Sequence, residues 1–577
     1  MGFFLLRKDD ERPDALAGLT RAAGRHGFPH RRQLRLDSHR LDLFGNLSGS
    51  DPQMVELEGG DFVVSCGFLL YRDLAGEAAL RAFHRDFVAA EFDWHGLVGL
   101  NVLLLRKDGR LHLLNDALGA CKIFHNDDFS LVSNSFIALA WLGCGRAFEL
   151  QGCFEYVFAG SCYGKRTLLA GISTLPANQT LSLDGVTLKP DQRPSPISQR
   201  DWPPEVSLDE VARDHAARID RLMEPIVAHF GDRLRLSTSG GYDSRLALAS
   251  LLKLGARPTL FTYGQEGEQD VRIARQIAET EGLDFERIDK SRVAPPPPED
   301  FADAAERDLF AFDGWKSDEG IFSNGADRTD RLKRHDRGQI PINGSLGEIY
   351  RNFFYLSDRP LTALDLVSTF YAQYDPSSGG TLFDERAYRG ALAQSIIEAV
   401  GAESHRLERW QAELAYPLFR GRYWTGHDGQ INQRFGPMLF PYLEQALISD
   451  TARIPIALKD MGRLQGRMIE LQNPKVAAYP SSYGYPLAAR PPVKERLLYV
   501  LNCRRPMALR RLAFRVKHRR FEARSEILSP AYLSRLLDPA LPHTSKLFRT
   551  ERMASASQYN RVLTLEYLAT TLGLDPP

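Results

Sequence analysis

The sequence of 577 residues is short of the features that mark secreted scaffolds, membrane proteins and nucleic-acid binders. It has six cysteines (Cys66, Cys121, Cys144, Cys153, Cys162 and Cys503), with no CxxC spacing and mostly apolar neighbours. That excludes a disulfide framework at this length and points to reduced thiols in a cytoplasmic protein. No run approaches the roughly 20 apolar residues of a membrane span. The apolar stretch Phe3 to Leu6 is too short for a signal-peptide core, and Leu6 stands where a myristoylation motif at Gly2 needs Ser or Thr. The sequons at Asn46, Asn178 and Asn343 carry no weight in an intracellular chain. Lys plus Arg (73) equals Asp plus Glu (73), so no global field favours nucleic acid or an acidic partner. HExxH, Cys/His clusters, G-x-S-x-G and a strand-borne GxGxxG are absent too, leaving zinc, hydrolase-elbow and dinucleotide chemistry without a signal.

What remains is a globular composition, with 43% hydrophobic, 25% charged and 10% aromatic residues, in a chain too long for one core. The first third reads as β-rich. In "VGLNVLLLRKDGRLHLLNDALG" the pair Asp108-Gly109 separates two apolar runs, which predicts a hairpin. The proline-rich, aperiodic segment Lys189 to Glu205 reads as a linker. Ser207 and Glu210 then form an S-x-x-E box opening an amphipathic helix. Beyond it, "LRLSTS", "TLFTYG" and "DFERID" alternate with helical patterns, which predicts parallel βαβ units. The reading divides the chain into residues 1–190, a linker at 191–206, residues 207–500, and a basic helical extension at 501–577. In that extension Arg504 to Arg524 is strongly basic, with Leu509, Leu512 and Val516 at helical spacing. It reads as a solvated helix face, with an anionic membrane or polysaccharide as the alternative.

The chemistry concentrates in "LRLSTSGGYDSRLALASLL". Ligands of parallel sheets gather beyond the carboxyl ends of the strands, where helix N-termini present unpaired N–H groups. Gly240 and Gly241 let backbone N–H donors approach phosphate oxygens, while Ser239 and Ser244 add hydroxyls. Asp243 would repel a phosphate unless a cation such as Mg²⁺ bridged them. No lysine follows the glycines, so this is not a Walker loop.

"SGGYDS" resembles the pyrophosphate-binding SGG-x-D-S loop of the N-type ATP pyrophosphatases. "INGSLGEIYRNFF" (Ile342 to Phe354) and "QINQRFGPMLFPYLEQALISDTARIPIALKD" (Gln430 to Asp460) resemble segments of asparagine synthetases. "LHLLNDALGACKIFH", with Asp116 and Gly119, and "GKRTLLAGISTLPANQTLSLDG" look like the class II glutamine amidotransferase domain fused to those enzymes. The resemblance implies an α+β Ntn-type sandwich followed by an α/β adenine nucleotide α-hydrolase-like parallel sheet with helical extensions. It implies that Ser237, Ser239, Gly240, Gly241, Tyr242, Asp243, Ser244 and Gly344 bind ATP, that Tyr263 and Gly264 meet adenine, and that Asp243 and Glu348 hold Mg²⁺. Asp270 reads as the cap of its own helix.

The sequence departs from that family at several points. Gly2 stands where the glutaminase cysteine belongs, and the glutamine-pocket signatures are missing, so the first domain is expected not to hydrolyse glutamine. Ser345 replaces a glutamate near the reacting amine, and the late lysine falls near Pro480. Lys475 is then the candidate catalytic cation, against the plainer reading of a solvated lysine, and Arg245 and Arg351 are further candidates that salt bridges within the fold explain equally well. "SSYGYP" (Ser481 to Pro486) reads as loop packing or a pocket wall. The implied activity is an ATP-dependent ligase that adenylates a small-molecule, sugar-acid or peptide carboxylate and passes it to ammonia or an amine. The alternative is a catalytically silent ATP-binding scaffold in a biosynthetic assembly. Neither nucleic acid nor an integral membrane span is expected, and a homo-oligomer is compatible.

Overall fold

A computed structural model describes residues 2–9, 12–49, 53–89, 91, 94–517 and 520–577. His518 and Arg519 of the basic segment lie outside the described residues. In the first third, two six-stranded antiparallel sheets are found among the described residues. The predicted hairpin joins strands Asn101–Lys107 and Arg110–Asn115, and both turn residues have positive φ, 52° at Asp108 and 77° at Gly109. That is the backbone a two-residue hairpin matching strand twist requires.

The period-two pattern of these strands sorts their side chains into two cores. Phe62, Val64, Val102, Leu104, Leu111 and Leu113 enter the main core, which continues into the rest of the chain. The alternate residues Val63, Leu103, Leu105 and Leu114 enter a second core against Leu80 and Phe83 of the helix Gly76–Asp86. Helices Pro13–Arg25 and Phe136–Trp141 pack on the other sheet. Each such fully buried Leu or Phe contributes roughly 1.5–3 kcal/mol.

The second part centres on a parallel sheet of four strands among the described residues, in the order Phe285–Ile288, Thr259–Tyr263, Leu234–Ser237, Ile340–Ile342. The predicted strands and intervening helices, Tyr242–Lys253 and Gln269–Glu281, are present. Ser207 caps the helix Leu208–Phe230 by accepting the Glu210 N–H at 3.2 Å. The chain first steps outward from Leu234–Ser237 and then returns to add Ile340–Ile342 on its opposite edge. The order therefore reverses between these two central strands, and the region beyond their carboxyl ends is where ligands of open α/β sheets bind.

Two stretches are better anchored than their composition suggests. Residues 193–206 have no regular structure, but the Arg193 guanidinium donates to the carbonyls of Asn115 and Asp116 and lies 4.2 Å from the Trp94 ring centre. Ser198 and the Arg200 backbone N–H bind Asp450. The last helix, Ala556–Leu572, is largely buried and packs on Leu150–Ala159, where Arg561 donates to the Val157 carbonyl. No helix among the described residues is long and apolar enough to cross a membrane.

Candidate functional site

Two loops leave the carboxyl ends of these strands side by side. The first, Thr238 to Gly241, links strand Leu234–Ser237 to helix Tyr242–Lys253, whose cap residue Gly241 offers no side chain. The first turn of that helix thus keeps N–H groups for an anion, favoured by the positive end of the helix dipole. The loop holds its shape through its own hydroxyls. Ser244 Oγ accepts from the Ser239 N–H at 3.1 Å, and Ser239 Oγ accepts from the Gly241 N–H at 3.2 Å. Ser237 ends the strand beside Phe261.

The second loop, Asn343 to Arg351, follows the neighbouring strand. Asn343 Oδ1 accepts the Ser345 N–H at 2.8 Å, and Glu348 lies in the short turn Gly347–Tyr350. The two loops touch closely. A Cβ on Gly344 would lie 3.2 Å from the Ser244 nitrogen, and one on Gly347 would lie 2.5 Å from Asp243 Oδ1.

Asp243 and Glu348, predicted as a pair from distant sequence positions, converge on one guanidinium. Arg351 Nη2 lies 2.8 Å from Asp243 Oδ2, 3.1 Å from Asp243 Oδ1 and 3.5 Å from Glu348 Oε1. Arg351 Nη1 donates to the Tyr483 hydroxyl at 2.9 Å. Gln465 donates to Asp243 Oδ1 and Tyr416 donates to Glu348 Oε2, each at 2.8 Å. Burial pushes the Asp243 carboxyl up to about 7, Arg351 opposes that, and the nearby Glu348 charge adds to it. Burial alone would lower the Arg351 guanidinium, but Asp243 outweighs it and holds the proton firmly.

Two carboxylates, one from the first turn of helix Tyr242–Lys253 and one from the second loop, around one cationic nitrogen fit a hard divalent cation, which takes one or two protein carboxylates and completes its shell with water and phosphate oxygens. Asp243 and Glu348 would hold it once Arg351 swings aside. No group of three or more His, Cys, Asp or Glu gathers among the described residues, so the protein by itself offers no full cage.

Asp270 departs from expectation. Its carboxylate does not cap its own helix but accepts the Gly240 N–H at 2.9 Å and the Ser482 hydroxyl. It sits in the first turn of Gln269–Glu281 and reaches across to the loop. The segment Ser481 to Pro486 lies over the loop. The Ser482 N–H donates to the Gly240 carbonyl at 3.1 Å, and the Tyr483 and Tyr242 rings are 5.1 Å apart. Arg245, fully buried, holds this segment by donating to the carbonyls of Tyr479 and Pro480. A cavity of about 350 Å³ opens beside the cluster, lined by Tyr242, Glu348, Arg351, Asn352, Tyr483 and Tyr499 among others. A larger one, about 890 Å³, lies between the N-terminal part and the later helices, away from both carboxylates.

Other expected residues lie apart. Lys475 is exposed and pairs with Glu281 at 3.0 Å. Glu281 ends the helix on which Asp270 stands in the first turn, roughly 16 Å away along the axis. The Tyr263 hydroxyl donates to Asp330 at 2.8 Å and accepts from Arg334, while the Gly264 carbonyl accepts from Arg287.

At the other end of the chain, a Cβ on Gly2 would lie 2.0 Å from the Gly45 carbonyl oxygen, so a cysteine cannot be seated there without moving backbone. Burial pushes the Cys66 thiol up to about 12 and those of Cys121, Cys153 and Cys162 well above the ordinary range. None of these four is an activated nucleophile.

No family model matches the chain. No curated protein matches it. Among solved structures it is similar to glutamine phosphoribosylpyrophosphate amidotransferase from B. subtilis complexed with ADP and GMP, at 9% identity and a TM-score of 0.23, over 50% of this chain and 66% of that one. It is also similar to a structure described as the allosteric regulatory enzyme of purine biosynthesis, at 11% identity and a TM-score of 0.22, over 50% of this chain and 65% of the other. The chain thus spans slightly less than two thirds of these proteins' length, and at such scores the likeness bears on neither fold nor activity.

Proposed function

We propose that the region beyond the carboxyl ends of strands Leu234–Ser237 and Ile340–Ile342 binds ATP, and that the protein is an amide-forming ligase of the asparagine synthetase type without its own glutaminase. The observation that carries this reading is the convergence of Asp243 and Glu348 around one cationic position, beside a glycine loop that runs into an uncapped helix N-terminus. The first-turn N–H groups of helix Tyr242–Lys253 and the hydroxyls of Ser239 and Ser244 would grip the β and γ phosphates, and the Gly240 and Gly241 amides would join them only by releasing Asp270 and Ser239. Tyr263 and Gly264 would border the adenine. A divalent ion on the two carboxylates would supply charge neutralisation at the phosphates.

A carboxylate substrate would attack the α phosphorus. The new C–O–P linkage forms as the bond between the α phosphorus and the bridging oxygen breaks, releasing pyrophosphate. An amine or ammonia then displaces AMP and gives up a proton. The chain's own contribution is positioning and electrostatic stabilisation. Arg351 would leave the carboxylates for phosphate oxygens when nucleotide enters.

The test is product identity. With a panel of carboxylates and amines, turnover should release AMP and pyrophosphate, and Asp243→Asn should abolish it. ADP and inorganic phosphate as products would refute adenylation. A second reading, an ATP-binding scaffold without catalysis, is favoured by one observation: Arg351 already neutralises the carboxylates, while Lys475 lies away from them. It predicts nucleotide binding with no product of either kind.

A further inference from the structure

Two consecutive helices carry their apolar residues on the outside. In Val493–Arg504, Val493, Leu497 and Leu501 recur every four residues and are 62%, 61% and 66% exposed, and no residue of that helix is buried. In Met507–Lys517, Leu509, Leu512 and Val516 share one face and are 52%, 56% and 54% exposed. What points inward is Met507, half-buried against the main core, and one arginine. Arg510 is buried and donates to the carbonyls of Phe354, Tyr355 and Asn502. Surface helices normally turn the apolar stripe to the core, and an outward stripe of this size marks an interaction surface.

Charge identifies the partner. Residues 490–524 hold twelve Lys and Arg against two acidic residues, Glu495 and Glu522, in a chain whose charges balance overall. Lys494, Arg504, Arg505, Lys517 and Arg520 are exposed and enter no ion pair among the described residues. A second copy of the chain is a poor occupant, because a two-fold interface would set this positive face against itself. Nucleic acid would leave the leucines and valines in water. An anionic bilayer satisfies both halves of the surface, since apolar side chains enter the boundary between headgroups and acyl chains while Lys and Arg meet lipid phosphates.

We propose that the helices Val493–Arg504 and Met507–Lys517 dock the protein on an anionic lipid surface. The helix Val493–Arg504 also walls the cavity beside Glu348 and Arg351, through Leu498, Tyr499 and Asn502. Docking therefore sets that cavity next to the bilayer.

The experiment is co-sedimentation of the full chain with vesicles of phosphatidylcholine alone and of phosphatidylcholine mixed with phosphatidylglycerol. The protein should pellet with the mixed vesicles only, and added salt should weaken the binding. Leu497→Ser with Leu501→Ser, and separately Arg504→Glu with Arg505→Glu, should each lower the association constant about tenfold or more. Unchanged thermal unfolding of both variants keeps the comparison valid. If either pair unfolds, single Leu497→Ser and Arg505→Glu variants must still weaken binding. Failure to pellet with mixed vesicles overturns the proposal. So does a concentration-dependent dimer that the leucine variant abolishes, or binding to polyanionic nucleic acid that ignores the leucines.

Discussion

Replacing Arg351 by glutamine tests the electrostatics of the carboxylate cluster. The wild-type guanidinium sits between Asp243 and Glu348, with side-chain exposures of 18% for Arg351, 21% for Asp243 and 26% for Glu348. Unit charges about 3 Å apart attract by roughly 5 kcal/mol at an effective dielectric of about 20, and breaking a buried pair on one side costs about 3–5 kcal/mol. Partial exposure brings the expectation down to about 2–4 kcal/mol. The loss is limited further because the Asp243 carboxyl can take up a proton, at about 1.4 kcal/mol per unit of displacement. Urea unfolding in chelator should therefore show Arg351→Gln destabilised by about 2–4 kcal/mol. Millimolar Mg²⁺ should return part of that stability to the variant and little to the wild type, because only a bound ligand of the native state stabilises it. Asp243→Asn combined with Arg351→Gln should be more stable in chelator than Arg351→Gln alone, since fewer carboxylates are left unpaired. Equal stability of wild type and Arg351→Gln, or a Mg²⁺ effect that is the same in both, would refute the reasoning.

Other expected outcomes follow from single contacts. A Cβ at residue 240 would lie 2.0 Å from Ser482 Oγ and 2.8 Å from its nitrogen. Gly240→Ala should thus cost about 1–3 kcal/mol in unfolding experiments and weaken ATP binding, with Ser482→Gly recovering part of the stability. Gly2→Cys should lower stability by a similar amount and yield no glutaminase activity, measured as glutamate release. The Glu444 carboxyl, pushed up to about 8 by burial with Asp116 adding, accepts the Gly99 N–H at 3.0 Å. The folded state holds this proton more tightly than the unfolded chain, so its contribution is full below the ordinary glutamate range and is lost as pH rises through about 8. Glu444→Gln should flatten the fall in urea stability between about pH 5 and pH 8, an effect on the order of a few kcal/mol.

The phosphate-loop candidate was legible because its information is local: strand, two glycines, aspartate and helix follow one another within a dozen residues. The pairing of Asp243 with Glu348 came only through family resemblance, and both residues do meet at Arg351. The contacts that complete the cluster were not legible. Gln465, Tyr416 and Ser482 reach it from helices and loops more than sixty residues from the residues they touch, and no local pattern encodes such meetings. Asp270 misled for the same reason, since helix-capping rules describe local competition and its partner is the Gly240 N–H thirty residues away. In the basic helices the spacing of Leu509, Leu512 and Val516 was plain, yet periodicity says only that they share a face. Which way that face points depends on packing, and the buried Arg510 turns it outward.

The most direct test of the central claim is carboxylate-dependent exchange of labelled pyrophosphate into ATP, because the reverse of adenylation alone rebuilds ATP from AMP-bound acyl groups. With the true carboxylate, wild type should exchange label in the absence of amine, while Asp243→Ala should not. ATP binding without exchange across a full carboxylate panel, or exchange undiminished in Asp243→Ala, would contradict it.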